Sequence, residues 1–195
     1  MTREIVAGVD EAGRGPLAGP VFAAAVVLDA RRPIEGLADS KQLSPGERER
    51  LAAEIRRRAR CWSVAWADVE EIDSLNILQA TFLAMRRALL GLPLTPGLVQ
   101  IDGNRLPQIR DLCVRCEAVI AGDASIAAIS AASILAKTAR DALMCSLDGH
   151  YPGFLLSEHK GYATERHLRS LDARGPSPIH RITFAPVTAK ARRGS

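Results

Sequence analysis

Four carboxylates stand where apolar, strand-like runs of the sequence end. Asp10, Asp102 and Asp123 each follow such a run, and Glu11 is next to the first of them. A carboxylate at a strand end is held by rigid backbone, and open α/β sheets bind ligands in the crevice beyond their strand ends. If the three strands are neighbours, the carboxylates would repel one another unless a cation lies between them. The pattern favours a site for Mg²⁺ or Mn²⁺, which prefer oxygen ligands.

Two such ions about 3.5 to 4 Å apart would stabilise the attacking and leaving oxygens in phosphodiester cleavage, but the carboxylates alone do not name the reaction. Each aspartate also has a structural explanation, since Asp123 before Ala124 could cap a helix N-terminus. A phosphatase with an aspartyl nucleophile would require Asp-x-Asp at the first strand end. The sequence Asp10-Glu11-Ala12 does not supply it.

A glycine-rich loop follows the first pair of carboxylates. Gly13-Arg14-Gly15 might suggest dinucleotide binding, but that fingerprint requires a helix after the loop, and here prolines lead into another apolar run. What remains is a loop whose glycines let backbone groups approach a ligand closely, with Arg14 available for a phosphate. A plain tight turn is the alternative.

The elements that must position these residues are strands and helices in mixed order. Apolar runs predict strands at residues 5–9, 21–28, 61–66, 98–101 and 116–120, the first two as neighbours. Helical patterns cover residues 45–60, 74–90 and 124–147. Ser44 and Glu47 form a capping-box pattern at the start of the first helix. Alternation of large and small residues predicts that Trp62 and Trp66 are core residues. Residues 151–195 predict a helical and looping appendage.

The composition is that of an ordinary globular protein. The chain has 195 residues, 47% hydrophobic and 25% charged, which allows one main domain. The net charge of +4 allows an anionic partner without requiring one. No apolar run reaches the roughly 20 residues of a membrane-spanning helix, and the N-terminus lacks a signal-peptide pattern. The four cysteines form neither a disulfide framework nor a zinc pattern. We therefore expect a cytoplasmic protein that does not enter a membrane.

The stretch Gly8–Val21, GVDEAGRGPLAGPV, resembles the opening motif of bacterial type 2 ribonuclease H, or ribonuclease HII. Further stretches agree in the same order: Asp39-Ser40-Lys41-Gln42-Leu43, Ile101-Asp102-Gly103-Asn104, Gly122-Asp123, Ser130-Ala131-Ala132-Ser133-Ile134-Leu135-Ala136-Lys137 and His159-Lys160-Gly161-Tyr162. The resemblance runs from about residue 5 to residue 187. It implies an α/β, RNase H-like fold, with a central mixed β-sheet flanked by helices in residues 1–148. A C-terminal helical extension (149–187) would pack on it, followed by a flexible basic tail (188–195).

By this resemblance, Asp10, Glu11, Asp102 and Asp123 are the family's four metal-binding catalytic acids. The substrate-binding residues that it implies are Gly13, Arg14, Gly15, Lys41, Ser133 and Tyr162. The loop backbone would read the ribose 2′-hydroxyl, the feature that distinguishes RNA from DNA. The tyrosine would stack at the RNA-to-DNA junction, while the lysine and the serine would hold phosphates near the cut. Many bacterial relatives have lysine where this chain has Ala121, which puts one phosphate or carboxylate contact in doubt.

The implied activity is that of an endonuclease acting with two Mg²⁺ or Mn²⁺ ions. It would hydrolyse the RNA strand of RNA/DNA hybrids and cut 5′ of single ribonucleotides embedded in duplex DNA, leaving 3′-hydroxyl and 5′-phosphate ends. Asp10 and Asp102 would share the metals while Glu11 and Asp123 complete the sites, and which acid bridges them stays open. The partner would be nucleic acid, bound by a monomer. The alternative, a non-catalytic hybrid-binding module, would not need all four acids.

Overall fold

A mixed sheet forms the centre of the protein, whose computed structural model describes residues 4–37, 40, 43–107 and 114–191. The strands in this part of the chain are β1 (Val6–Ala12), β2 (Val21–Val27), β3 (Cys61–Ala67), β4 (Leu98–Asp102) and β5 (Arg115–Val119). They lie in the order β3-β2-β1-β4-β5. β2 is antiparallel to β1 and β3, whereas β4 is parallel to β1 and β5. The predicted mixed sheet and the pairing of its first two strands are confirmed.

Helices cover both faces of this sheet. Within the described residues they are α1 (Pro45–Arg58), α2 (Val69–Leu75), α3 (Ile77–Leu90), α4 (Gly122–Ser125), α5 (Ala127–Asp148), α6 (Leu156–His159), α7 (Glu165–Arg174) and α8 (Ala185–Ala191). α1 begins at the predicted capping box, in which Ser44 and Glu47 each accept from the other's backbone N–H. It ends before residue 60 because Ala59 already has extended backbone, with ψ 150°.

The two faces of the sheet carry separate apolar cores. On one face, strand residues such as Val9 and Ile101 pack against α3. On the other, residues such as Ala24 pack against α1 and α5. α5 lies so close to β1 that a Cβ on Gly8 would be 2.2 Å from the carbonyl carbon of Ala128. The predicted close packing of this alanine- and serine-rich helix on the sheet is confirmed.

The prediction that both tryptophans are core residues is wrong. Trp62 is 36% exposed and Trp66 is 53% exposed. Both belong to β3, which is an edge strand, so the helices that cover the centre of the sheet cover these side chains only in part. Trp66 stacks on Phe22 of β2 with ring centres 5.7 Å apart, and the guanidinium of Arg56 lies 5.8 Å from the Trp62 ring centre.

Two predicted helices are each divided into two. The helix predicted from residue 74 is interrupted at Asn76, where φ is 71°, and its side chain accepts from the N–H groups of Leu78 and Gln79 to start α3. The preceding α2 was missed, although Asp68 and Glu71 form a capping box in front of it. The helix predicted over residues 124–147 is likewise divided into α4 and α5 at residue 126, which has extended backbone.

The C-terminal segment packs on α5. Its apolar contacts form a third core cluster, whose buried members are Leu17, Met144, Phe154, Leu156, Leu171 and Val187. α8 continues through Ala191, so the tail predicted to begin at residue 188 starts as helix. The domain division itself stays a prediction. Among the described residues, no helix is both long and apolar enough to span a bilayer. The described cysteines, Cys61, Cys116 and Cys145, are free thiols.

Candidate active site

Asp10 and Asp102 lie side by side because β1 and β4 are parallel neighbours. Val9 pairs with Ile101, so the next residue of each strand stands at the same level of the sheet. The prediction that β1 ends at Val9 is wrong, because Asp10 and Glu11 still pair with β2. Asp10 and Glu11 are therefore strand residues, and their side chains leave from opposite faces of the sheet.

The Asp10 carboxylate is buried, with 5% of the residue exposed. Its Oδ1 atom accepts a 2.7 Å hydrogen bond from the N–H of Glu11. Burial raises the pKa of Asp10 well above its ordinary value, the charges of Glu11 and Asp102 raise it further, and a hydrogen bond with Ser133 opposes them. The Ser133 hydroxyl also contacts that of Ser40 at 2.9 Å. Concentrated negative charge of this kind favours a cation.

The other two aspartates are joined through the backbone. Asp102 Oδ1 accepts hydrogen bonds from the N–H groups of Gly122, at 2.8 Å, and Asp123, at 3.4 Å. These bonds tie the end of β4 to α4. Asp123 is buried within the first turn of α4, while Ala121 occupies the N-cap position with φ 53° and Ile126 precedes α5. Asp123 therefore occupies neither N-cap position, so the alternative that it is a helix N-cap is wrong.

Most of the predicted site residues line one cavity of about 270 Å³. Its lining includes the carboxylates Asp10, Glu11 and Asp102 together with the loop 13–15 and Tyr162. Ser133 contacts the site through its side-chain hydrogen bond with Asp10, and Asp123 contacts it through its backbone N–H, which donates to Asp102. Lys41 lies outside the described residues, so its predicted phosphate contact stays a prediction.

The glycine-rich loop connects β1 directly to β2, so no helix follows it and the dinucleotide-binding alternative is excluded. Gly13 has φ 98°, in the left-handed region that favours glycine. A Cβ at this position would also lie 2.1 Å from Nε of Arg140. Arg14 is half-exposed, and its Nη1 atom is 3.3 Å from Oε1 of Glu11. The loop therefore places the positively charged guanidinium of Arg14 beside the carboxylate cavity.

The buried Arg181 holds this loop and was missed by the sequence reasoning. Its guanidinium donates to the carbonyl oxygens of Gly13 at 2.6 Å, Arg14 at 2.9 Å and Gly19 at 2.8 and 3.0 Å. Burial lowers the pKa of Arg181 to about 9. No local pattern marks this role, because the bonded partners are 162 to 168 positions away in the sequence.

Arg140 of α5 braces the other end of the loop and was also missed. It donates to the carbonyl oxygens of Ala18 at 3.0 Å, Pro20 at 3.1 Å and Lys160 at 3.0 Å. Burial lowers its pKa. The two arginines together connect the loop to α5 and to the C-terminal segment. The hydrogen bonds of their guanidinium groups therefore fix the backbone of the loop.

Tyr162 stands beside the loop and is 41% exposed. A Cβ on Gly15 would lie 3.8 Å from Cε1 of the Tyr162 ring. Nζ of Lys137 lies 5.8 Å from the centre of this ring and 2.7 Å from Oδ1 of Asp141. Burial lowers the pKa of Lys137. Lys137 lines the carboxylate cavity, and its presence in a family-like stretch was the signal that could have identified it.

The chemistry of the donor set fits divalent metal ions. The carboxylates of Asp10, Glu11 and Asp102 line one cavity at the ends of two strands. Burial, and then the charges of Glu11 and Asp102, raise the pKa of Asp10, and a bound cation would favour its charged form. The side chains do not yet form a closed ligand cage, since no group of three Asp, Glu, His or Cys in the described chain has ligand geometry.

The family model described as Ribonuclease HII matches residues 7–187, nearly the whole chain. The protein belongs to the ribonuclease HII family. Its membership makes it an endoribonuclease of the hydrolase class, so the predicted family and enzyme class are confirmed. The non-catalytic binding module is not favoured.

Individual relatives agree with the ribonuclease HII family. The chain is 61% identical over 184 residues to ribonuclease HII of Chromobacterium violaceum, covering 94% of this chain and 92% of that one. Among solved structures, ribonuclease H2 of Pyrococcus horikoshii OT3 superposes with TM-score 0.78 and 30% identity, covering 96% of this chain and 97% of that one. Bst-RNase HIII in complex with Mn²⁺ superposes with TM-score 0.78 at 21% identity, covering 98% and 70%, which shows the shared fold. The predicted RNase H-like α/β fold is confirmed.

Proposed function

We propose that this ribonuclease HII hydrolyses the RNA strand of RNA/DNA hybrids and cuts 5′ of single ribonucleotides embedded in duplex DNA. The products carry 3′-hydroxyl and 5′-phosphate ends. The observation that carries this proposal is the shared cavity in which Asp10, Glu11 and Asp102 face the loop 13–15 and Tyr162. Hydrolytic groups and groups suited to recognise a ribose thus occupy one continuous space. The protein acts as a monomer in the cytoplasm, with nucleic acid as its partner.

Two divalent ions, Mg²⁺ or Mn²⁺, are proposed at the carboxylates, where they would activate water and neutralise charge on the phosphate. Asp10 and Asp102 stand at the same level of adjacent strands and are suited to hold both ions. Glu11, on the other face of β1, and Asp123 of α4 would complete the two sites. Ser133 orients the Asp10 carboxylate through its hydrogen bond.

The loop 13–15 and Tyr162 supply the proposed recognition of the ribonucleotide. The loop is locked by Arg181, so its backbone groups are placed before the substrate arrives. Such preorganisation lowers the entropic cost of binding. The exposed ring of Tyr162 stacks on the nucleotide at the RNA-to-DNA junction, while Arg14 contacts a phosphate. The hydroxyl group that this site reads, the 2′-OH, is present in RNA and absent from DNA.

A cleavage assay tests the proposal directly. The substrate is a DNA duplex with one ribonucleotide, incubated with the protein and Mg²⁺, with Mn²⁺, or with a chelator. We expect a single cut on the 5′ side of the ribonucleotide that requires the metal, with ends identified by mass spectrometry.

The matched control is the same duplex made entirely of DNA, which should stay intact. Cutting on the 3′ side, cutting without metal, or equal cutting of the all-DNA duplex would overturn the proposal. A uniform RNA/DNA hybrid in the same series reports the second proposed substrate.

A further inference from the structure

Three buried histidines form a continuous cluster in the C-terminal segment. The rings of His159 and His167 are stacked, with centres 4.4 Å apart and an interplanar angle of 14°. The rings of His167 and His180 are tilted, with centres 5.2 Å apart, and their Nε2 atoms are 3.0 Å apart. All three residues are buried. Metal chemistry at the cavity does not use them, so their arrangement needs a separate explanation.

The bonds around His180 determine where its proton lies. Its Nδ1 atom is 3.0 Å from the backbone N–H of Ser177, which can only donate, so Nδ1 is the acceptor. A neutral imidazole with an unprotonated Nδ1 carries its proton on Nε2. The Nε2–H of His180 therefore donates to Nε2 of His167.

The same reasoning continues to His167. Because its Nε2 accepts from His180, its proton lies on Nδ1. Nδ1 is 2.9 Å from the carbonyl oxygen of Tyr162, which can only accept. The chain of bonds thus runs in one direction, from Ser177 through two imidazoles to the backbone of the tyrosine beside the cavity. Protonation of His180 would point its Nδ1–H at the N–H of Ser177, and protonation of His167 would point its Nε2–H at the Nε2–H of His180.

His159 fixes the other side of the tyrosine. Its Nδ1 accepts from the N–H of Gly161 at 3.1 Å, and its Nε2–H donates to the carbonyl of Phe154 at 2.8 Å. The carbonyl oxygen of His159 accepts from the N–H of Tyr162 at 2.9 Å. The backbone on both sides of the Tyr162 ring is therefore held by neutral histidines. Burial lowers the pKa of each of the three, which keeps them in this form.

The segment that carries these histidines also pairs with the glycine-rich loop. The N–H of Leu17 donates to the carbonyl of Gly161 at 2.8 Å, and the N–H of Arg181 donates to the carbonyl of Leu17 at 2.9 Å. Ala18 forms a β-bridge with His180. The loop is therefore bonded both to the segment that contains Tyr162 and to the segment that contains His180. The His180–His167 hydrogen bond connects these two segments.

We infer that His167 and His180 are positioning residues whose hydrogen-bond chain sets Tyr162 at a fixed place relative to the loop 13–15. In this role they act on the choice of substrate, because a single ribonucleotide is recognised only when ring and loop are correctly spaced. The inference rests on the proposed function of Tyr162. It assigns no contact between the histidines and the nucleic acid.

The proton positions are measurable in the unmodified protein. Long-range ¹H–¹⁵N NMR correlations distinguish the two imidazole tautomers. We expect the Nδ1–H form for His167 and the Nε2–H form for His159 and His180 at neutral pH. An Nε2–H or charged His167 would overturn the inference without any substitution that could disturb folding.

Substitutions at residue 167 test the functional consequence. His167→Phe removes the donor at similar size, whereas His167→Asn places an amide nitrogen at the position of Nδ1. We expect His167→Phe to reduce kcat/KM on the single-ribonucleotide duplex about tenfold more than on a uniform hybrid, the effect of losing about one hydrogen bond. His167→Asn should recover most of the loss. The control His150→Phe replaces an exposed histidine outside this cluster and should leave kcat/KM unchanged on both substrates.

A double-mutant cycle with Tyr162→Ala separates this inference from the proposed function. If His167 acts through the tyrosine, His167→Phe should cause no further loss of selectivity in the Tyr162→Ala background. Selective loss in Tyr162→Ala but not in His167→Phe would refute the positioning role alone. No selective loss in Tyr162→Ala would refute the role proposed for the tyrosine. Equal losses on both substrates that follow thermal stability would show a merely structural histidine.

Discussion

Arg181→Lys is the substitution for which the structure permits a worked magnitude. The guanidinium makes four hydrogen bonds to the carbonyl oxygens of Gly13, Arg14 and Gly19, at 2.6 to 3.0 Å. Lysine keeps the positive charge but concentrates its donors on one nitrogen, without the planar fork of arginine. A single ammonium cannot follow the separated geometry of these acceptors, so we count at least two lost bonds.

Hydrogen bonds to charged groups contribute about 1.5 to 3 kcal/mol each, so two lost bonds lower the free energy of unfolding by about 3 to 6 kcal/mol. Domains of this kind have about 5 to 15 kcal/mol in total, so a folded but weakened variant is expected. The freed carbonyls belong to the loop beside the carboxylate cavity. A displacement of about 1 Å there should reduce kcat/KM on the order of a hundredfold.

Urea unfolding at fixed pH measures the first quantity, and cleavage of a single-ribonucleotide duplex measures the second. The matched control is Arg169→Lys, since Arg169 is exposed and pairs with Glu165 one turn away on α7. That change should alter stability by less than about 0.5 kcal/mol. If Arg181→Lys unfolds at the wild-type urea concentration and cuts at the wild-type rate, the assignment of the arginine as the support of the loop is wrong.

Three other predictions concern charge, stacking and pH. Asp10→Asn should abolish metal-dependent cleavage yet raise the free energy of unfolding by about 1 kcal/mol, because it removes a buried charge that Glu11 and Asp102 repel. Tyr162→Ala should lose about 1 to 3 kcal/mol of transition-state binding on a single ribonucleotide, and Tyr162→Phe should lose less because stacking needs the ring. Stability should fall as the pH drops from about 6.5 towards 4, because the folded pKa of His180 is about 4 and the unfolded chain takes up the proton first.

Each of these predictions has a measurement that can contradict it. Near wild-type cutting by Asp10→Asn in Mg²⁺ would refute the assignment of Asp10 as a metal ligand. If the metal-free Asp10→Asn protein is less stable than the metal-free wild type, the electrostatic explanation is wrong. A collapse of thermal stability in Tyr162→Ala would indicate packing instead of stacking. The pH dependence is best measured in the Asp10→Asn background, where the opposing titration of that carboxyl is absent, with His180→Gln as the comparison. If His180→Gln leaves the slope of the free energy of unfolding against pH unchanged, His180 is not the source of the pH dependence.

Local sequence patterns identified much of the scaffold of the site. Continuous apolar runs predicted β1 and β2, alternation of large and small residues predicted β3, and short, mostly apolar stretches predicted β4 and β5. Ser44 and Glu47 marked the start of α1, since a capping box is formed by residues three positions apart. The prolines after the glycine-rich loop excluded a following helix for an equally local reason.

Only the tertiary structure decided how these elements act on one another. Trp62 and Trp66 are exposed because β3 lies at the sheet edge, and strand order is not encoded in the alternation within one strand. Asp10 and Glu11 remain inside β1 because β2 continues to pair with them beyond the last apolar residue. Sequence named the carboxylates, but their placement depends on the neighbouring strands.

The supports of the site are the least local feature of all. Arg181 bonds to a carbonyl oxygen 168 positions away, and the histidine chain is formed by residues from α6, α7 and the segment after it. An arginine or a histidine in a sequence has no fixed partner, because its burial and bond direction depend on which backbone groups the folded chain brings to it. The sequence by itself therefore determined which residues are candidates for the chemistry, and the fold determined what holds them in position.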